Sequence, residues 1–353
     1  MINLQKYYHK SIIRLEEERL KIKVGFTAGD MNGIGPEVLL NSVAEKHTLQ
    51  RVVPIIYAPL KNLEQISNHL GLEMSFNSIN STEEAEENKI NVIDNFKMAP
   101  KISFGKMDKK IGEVAFQSIK SSVLDLNEKK IDALVTAPIN KEGIHSENFK
   151  FMGHTDYIDS KIDGNAIMMM VSKELKVALL TEHVPISKVT EQITRELVEE
   201  KILSINSTLI KDFNIRKPKI AILSIDPHAG DGGVIAKNDQ SVIVPVVKKM
   251  NDLGIDLYGP FPSDSFFGSL EYKKYDIIVA SFHDQGLIPF KTLSFGTGVN
   301  YSSGLERVRT SPDHGTAYAI AGKGQASNSS FLSSITLAVE VFKARKKIMK
   351  NNK

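Results

Sequence analysis

Short apolar runs rich in Val and Ile recur along the chain, separated by longer stretches with apolar residues every three or four positions. The runs fall at 23–26, 52–57, 90–93, 133–136, 167–171, 177–181, 220–225 and 277–281. Few of them alternate polar with apolar, so each reads as a strand buried on both faces. Between them, the spacing predicts helices over 37–45, 63–70, 112–126, 188–213, 240–250 and 331–349. Buried strands alternating with amphipathic helices predict an α/β protein with a mostly parallel sheet. An Asn-rich stretch near 77–88 reads as a surface loop. The segment before the first strand reads as a helical extension with Glu16, Glu17, Glu18 and Arg19 on a solvated face.

Length and charge narrow the class. A chain of 353 residues is long for one core and points to two lobes. A net charge of +3, with no basic run interleaved with aromatics, argues against a nucleic-acid face. The basic cluster Lys343, Arg345, Lys346, Lys347 reads as the dipole-complementing end of a last helix. Cysteine is absent, so disulfides and thiolate chemistry are excluded and any metal site must use His, Asp or Glu. That usage fits a cytoplasmic protein. The first 23 residues lack the apolar core of a secretory signal, and runs such as 166–171 are too short to span a bilayer.

In parallel α/β sheets, ligands bind beyond the carboxyl ends of the strands. Three of the nine histidines fall there: His183 after the run 177–181, His228 after 220–225 and His283 after 277–281. A lone loop histidine is ordinarily a hydrogen-bonded structural residue. Three in the same position can converge as neutral imidazoles on a catalytic divalent metal with an open coordination site. Around His228 the chain reads DPHAGDGG, whose glycines permit positive φ and close backbone approach. The first strand leads into GDMNGIGPE, which lacks the G-x-G-x-x-G nucleotide fingerprint. His154 and Thr155, in MGHTD, suit either an anion site or a helix cap. Lys291, Asn300 and Arg309 lie in a Gly-rich, weakly periodic stretch that reads as a functional loop for phosphate and carboxylate, or as a solvated charged loop.

Six motifs, GHTDY, HVPI, DPHAGDGG, HDQGLIPFK, GTGVN and RTSPDHGTA, stand in this order between residues 153 and 317, within a resemblance that extends from about residue 24 to 340. In that order and spacing the chain resembles the 4-hydroxythreonine-4-phosphate dehydrogenase family of vitamin B6 biosynthesis. The resemblance implies an isocitrate/isopropylmalate-dehydrogenase-like fold, two-lobed α/β/α, acting as a homodimer with its active site at the subunit interface. On this basis the lobes are expected at 23–145 plus 305–353 and at 146–304, after an extension over 1–22. The family's metal ligands fall on His183, His228 and His283, and its substrate residues on His154, Thr155, Lys291, Asn300 and Arg309. Lys291 is also expected to serve catalysis, and Asp313, His314, Gly315 and Thr316 to receive NAD. The implied ion is divalent, zinc first, with cobalt, manganese or magnesium as alternatives. The implied reaction oxidises 4-phosphohydroxy-L-threonine, in a cytoplasmic enzyme with no nucleic-acid or membrane partner. A sugar-acid phosphate dehydrogenase and, from another class, a His-metal hydrolase are the competing readings. The proton acceptor stays open among Asp284, Lys141 and water, Asp284 having structural alternatives of its own. The chain departs from the family pattern at Asp226, usually Asn, at 237–239, usually carrying an acidic pair, at Ile288 and in the first loop.

Overall fold

The computed structural model of the chain describes residues 21–147, 149–151 and 153–351. The expected N-terminal extension lies almost wholly outside them. The described residues form two compact units. The first runs to Phe149 and takes in Thr316–Ala326; the second comprises Lys150–Gly315 and Ser327 onward. These units place residues 305–315 and the last helix, Ser329–Asn351, in the second unit, whereas the expected lobes assigned them to the first. The reason is packing: that helix lies against the last two strands of the second unit.

The first unit holds β1 (Ile22–Thr27), β2 (Val52–Tyr57), β3 (Phe76–Ile79), β4 (Ile90–Ile93) and β5 (Ala133–Thr136). They pair in the order β3-β4-β2-β1-β5, every pair parallel. β1, β2, β4 and β5 are almost completely buried, as their largely apolar sequences require. The helix Lys109–Asn127 packs against β1, β2 and β5. Its N-cap Asp108 accepts a hydrogen bond from Lys110 N. β3 lies inside the stretch read as a loop; it is an edge strand with an Asn and a Ser, and apolar pattern alone does not reveal it.

The second unit holds β6 (Gly164–Val171), β7 (Lys176–Leu179), β8 (Lys219–Leu223), β9 (Asp256–Phe261), β10 (Ile277–Ala280), β11 (Val299–Leu305) and β12 (Val308–Pro312). Their order is β12-β11-β6-β7-β10-β8-β9. From β7 through β9 the pairs are parallel, while β12-β11, β11-β6 and β6-β7 are antiparallel. The α/β class and mostly parallel pairing thus match the expectation. β9 was hidden by its internal Gly259-Pro260, and β11 and β12 by their polar composition. Those polar groups are internally bonded: Ser303 Oγ donates to Ile167 O and Thr310 Oγ1 to Ser334 O.

Two further expectations change. The helix predicted over 188–213 is broken near Ile193; a new helix, Arg195–Lys211, starts behind Thr194, whose hydroxyl accepts from Leu197 N. The stretch 291–309 is not a loop: Lys291 is on the helix His283–Ser294, Asn300 on β11 and Arg309 on β12. Among the described residues no helix is long and apolar enough to cross a membrane.

Candidate active site

The strand order brings β7, β10 and β8 side by side, with β10 in the middle. Beyond their last ladder positions, Leu180 N still donates to Ala280 O at 2.8 Å and Thr181 Oγ1 to Ser281 O at 2.7 Å. The chain ends of β7 and β10 are therefore held together up to the residues just before His183 and His283. Their imidazole rings stand 6.0 Å apart between centroids.

His283 opens a helix, and the polar triplet at the end of β10 is its first turn rather than a free turn. Each member has a task there. Asp284 Oδ1 lies 2.7 Å from His283 Nδ1. A carboxylate can only accept, so the proton sits on Nδ1 and the lone pair on Nε2 is left for a ligand. Gln285 clasps the strand ends: its Oε1 accepts from Ser281 N at 2.6 Å, and its Nε2 donates to Ser224 O at 2.7 Å and Ser263 Oγ at 2.8 Å. Gly286 is where the helix crosses the sheet. A Cβ there would stand 2.8 Å from Val177 Cγ1 and 2.9 Å from Ala280 Cβ. The glycine serves helix–sheet packing.

His228 lies in the loop after β8, in a run of five left-handed residues from His228 to Gly232. His228, Ala229 and Asp231 are not glycines, so this backbone is strained and must be held. Gln240 Nε2 donates to Ala229 O at 2.9 Å, and Asp239 accepts from the amides of Ile225 and Asp226 at 2.9 Å. Asp226 accepts from Asn238 N at 3.2 Å and Asn238 Nδ2 at 3.0 Å. Thus where the family usually places Asn and an acid, this chain places an acid and Asn238, with a hydrogen bond between them. Among the described residues no three His, Asp or Glu side chains stand as a group able to hold a metal ion. His183 and His283 face each other, while His228 stands in the loop after the neighbouring strand β8. The donor chemistry suits a divalent ion, His283 with its fixed tautomer above all.

A depression of about 650 Å³ opens beside His183, lined also by Asp156, Glu182, Glu191, Thr194 and Lys201. A second, of about 520 Å³, lies between His183 and His283 and reaches Asp284. Lys201 donates to Leu179 O at 3.0 Å, and burial lowers its pKa. Glu182 accepts from Met168 N at 3.1 Å. These two residues brace β7 and β6 beside His183, and sequence reading missed both, since neither belongs to a quoted motif. His154 and Thr155 begin the helix His154–Asp159, capped by Gly153 with no side-chain bond, so neither Thr155 nor Asp156 is the cap. The same helix delivers Asp156 to the depression beside His183.

Of the remaining predicted residues, Asn300 and Arg309 lie on β11 and β12, Lys291 on the helix that His283 opens, and 313–316 in the segment after β12. Asn300 Oδ1 is buried with no hydrogen-bond partner, an acceptor suited to a ligand. Arg309 is 1% exposed and donates to Ser302 Oγ at 3.1 Å; burial pushes its pKa down to about 10. Lys291 is exposed, its Nζ 3.4 Å from Asp313 O. Ser330 Oγ donates to Asp313 Oδ1 at 3.2 Å. His314 Nδ1 lies 3.1 Å from Gly315 O, while its Nε2 is buried without a partner. Gly315 has open space where a Cβ would be, so a ligand can approach its backbone. Thr316 belongs to the first unit. These orphaned atoms and open backbone fit a dinucleotide loop in chemistry.

An α/β sheet whose strand ends gather imidazoles, acids and cations beside open depressions defines a small-molecule enzyme, and comparison places it among dehydrogenases. The family model described as pyridoxal phosphate biosynthetic protein PdxA matches residues 50–338. A 4-hydroxythreonine-4-phosphate dehydrogenase from Bacteroides thetaiotaomicron is 42% identical over 94% of this chain and 91% of its own length. A D-threonate 4-phosphate dehydrogenase from Cupriavidus necator is 35% identical over 90% of this chain and 96% of its own. A solved structure of 4-hydroxythreonine-4-phosphate dehydrogenase from Klebsiella pneumoniae superposes with TM-score 0.81 at 30% identity, covering 92% of this chain and 98% of that one. The chain belongs to the PdxA family and is an oxidoreductase. Its fold is of the isocitrate/isopropylmalate-dehydrogenase-like type.

Proposed function

We propose that this protein oxidises 4-phosphohydroxy-L-threonine with NAD to 2-amino-3-oxo-4-phosphooxybutanoate, which loses CO₂ to give 3-amino-2-oxopropyl phosphate in pyridoxal 5'-phosphate biosynthesis. The observation that carries this reading is the facing pair His183 and His283, with Asp284 on His283 Nδ1, in a chain of this family. The reaction removes a hydride from C3 and a proton from its hydroxyl, leaving a ketone beta to the carboxylate. His183, His228 and His283 would hold a divalent ion, zinc first among the candidates. When bound, it supplies Lewis acidity toward the substrate hydroxyl and the ketone that replaces it. NAD, held by 313–316, would supply the hydride acceptor.

The chain's own groups do the rest. Asp284 keeps the His283 proton on Nδ1. His154, Thr155, Lys291, Asn300 and Arg309 are assigned to the phosphate and carboxylate; charge-assisted bonds from Lys291 and Arg309 suit a dianion. Asp313, His314, Gly315 and Thr316 are assigned to the dinucleotide. A cytoplasmic homodimer, as the family resemblance implies, is part of the proposal.

The competing substrate is a threonate or erythronate phosphate; a relative named D-threonate 4-phosphate dehydrogenase at 35% identity keeps the former in view. The test is NADH formation with each phosphorylated substrate, with and without chelator. Phosphohydroxythreonine should react fastest, and His228→Ala and His283→Ala should each lose at least about a hundredfold in kcat/KM. Near wild-type turnover by either variant defeats the metal assignment; preference for threonate phosphate defeats the substrate.

A further inference from the structure

Ala317 stands in the left-handed region at φ 43° although it has a Cβ. Such a conformation persists only where the surroundings fix it, and it points from an observed strain to a function. Two anchors flank it, both inside the first unit. Before it, Ile34 N donates to Thr316 O at 2.9 Å. Gly33 lies so close that a Cβ there would stand 2.8 Å from the same oxygen and 2.9 Å from Thr316 Cβ. After it, the Tyr318 hydroxyl donates to Asp30 Oδ2 at 2.5 Å.

Asp30 is itself immobilised. It is 3% exposed, its amide donates to Pro138 O at 2.9 Å, and its Oδ1 accepts from Asn32 N at 2.9 Å. Asn32 extends the frame by accepting from Ser103 N and donating to Lys106 O, both at 2.8 Å. Burial pushes the Asp30 carboxyl up, and burial also pushes the Tyr318 hydroxyl up; in such a medium a hydrogen bond is strong. The residues involved are those of the first loop, Asp30-Met31-Asn32, where this chain departs from the family's Pro-rich form.

We propose that Asp30 and Tyr318 are positioning residues, which hold the strained backbone of 316–318 in the shape that receives the dinucleotide. They act through the backbone of Thr316 and Ala317. The inference rests on the NAD reading above.

Full-length Tyr318→Phe is the test, with NADH binding followed by the fluorescence of the bound dinucleotide. One charge-assisted hydrogen bond is lost, so NADH affinity should fall about tenfold and KM for NAD rise by a like factor. KM for the phosphorylated substrate, and kcat at saturating NAD, should stay within about twofold. Asp30→Asn, which keeps an acceptor oxygen, should lie within about threefold of wild type. Unchanged NADH binding by Tyr318→Phe overturns the role. So does equal weakening of both ligands with a lowered melting temperature, which marks general loosening. If the wild-type protein itself binds neither NAD nor NADP, the dinucleotide reading fails first and takes this inference with it.

Discussion

The two units bury their sheets by different chemistry. In the first, five parallel strands are mostly aliphatic; buried polar side chains such as Thr27, Asn91 and Ser118 bond to nearby backbone, and the Tyr57 hydroxyl donates to Asp125 Oδ2 at 2.8 Å. In the second, β11 and β12 carry Ser302, Ser303, Arg309 and Thr310 into the interior. There too, Asp212 accepts from Arg345 Nε at 2.6 Å, Arg345 Nη2 at 2.9 Å and the Tyr301 hydroxyl at 2.5 Å. Arg345 also donates to the carbonyls of Leu305 and Glu306 at 3.0 Å. An aliphatic sheet tolerates exchange among similar residues; a polar interior depends on each named partner. The second unit also bears His183, His228 and His283 and all five residues assigned to the substrate.

The largest expected effect breaks that contrast at its strongest point. Arg345→Met leaves the Asp212 carboxylate buried without its countercharge and should cost about 3–5 kcal/mol in urea unfolding. A loss under about 1 kcal/mol, the value of an exposed pair, would show that the second unit does not depend on its ion pairs. Next comes Lys291→Met, which removes an exposed cation from the assigned phosphate site. Steady-state kinetics should show KM for the phosphorylated substrate up by about tenfold with kcat nearly unchanged; unaltered KM removes Lys291 from that site. The smallest effect is Tyr57→Phe in the first unit, about 1 kcal/mol at neutral pH. Burial raises the Asp125 pKa and the Tyr57 bond lowers it, so that bond favours the ionised carboxylate. The cost of Tyr57→Phe is therefore present above the folded pKa of Asp125 and fades as pH falls through it. Urea midpoints of both proteins across that range check the sign.

Sequence reading was most accurate where one physical signal acted alone. All eight predicted strands are present, three with the same ends and five with shifted ones, because a run rich in Val and Ile has few other ways to be buried. β11 and β12 were missed because their interior serines, threonines and Arg309 look solvated until their partners on other elements are known. Arg345 was read as a helix-end charge for the same reason; its partners Asp212 and Tyr301 come from a helix end and a strand far away in sequence. That His183 and His283 follow strands was legible in the sequence. Gln285, Glu182 and Lys201 were not legible there, since a brace is defined by what it ties together.

What the sequence determined by itself was the α/β class, the apolar strands, the absence of thiolate chemistry and the family, because composition, periodicity and motif spacing are local properties. Only the tertiary structure decided that β10 lies between β7 and β8, so that His183 faces His283. Only it showed Asp284 holding a proton on the imidazole, Gly286 admitting a helix to the sheet, and Tyr318 reaching Asp30. Each of these depends on strand order or on the crossing of elements. A chain specifies such contacts only through the summed packing of all its parts.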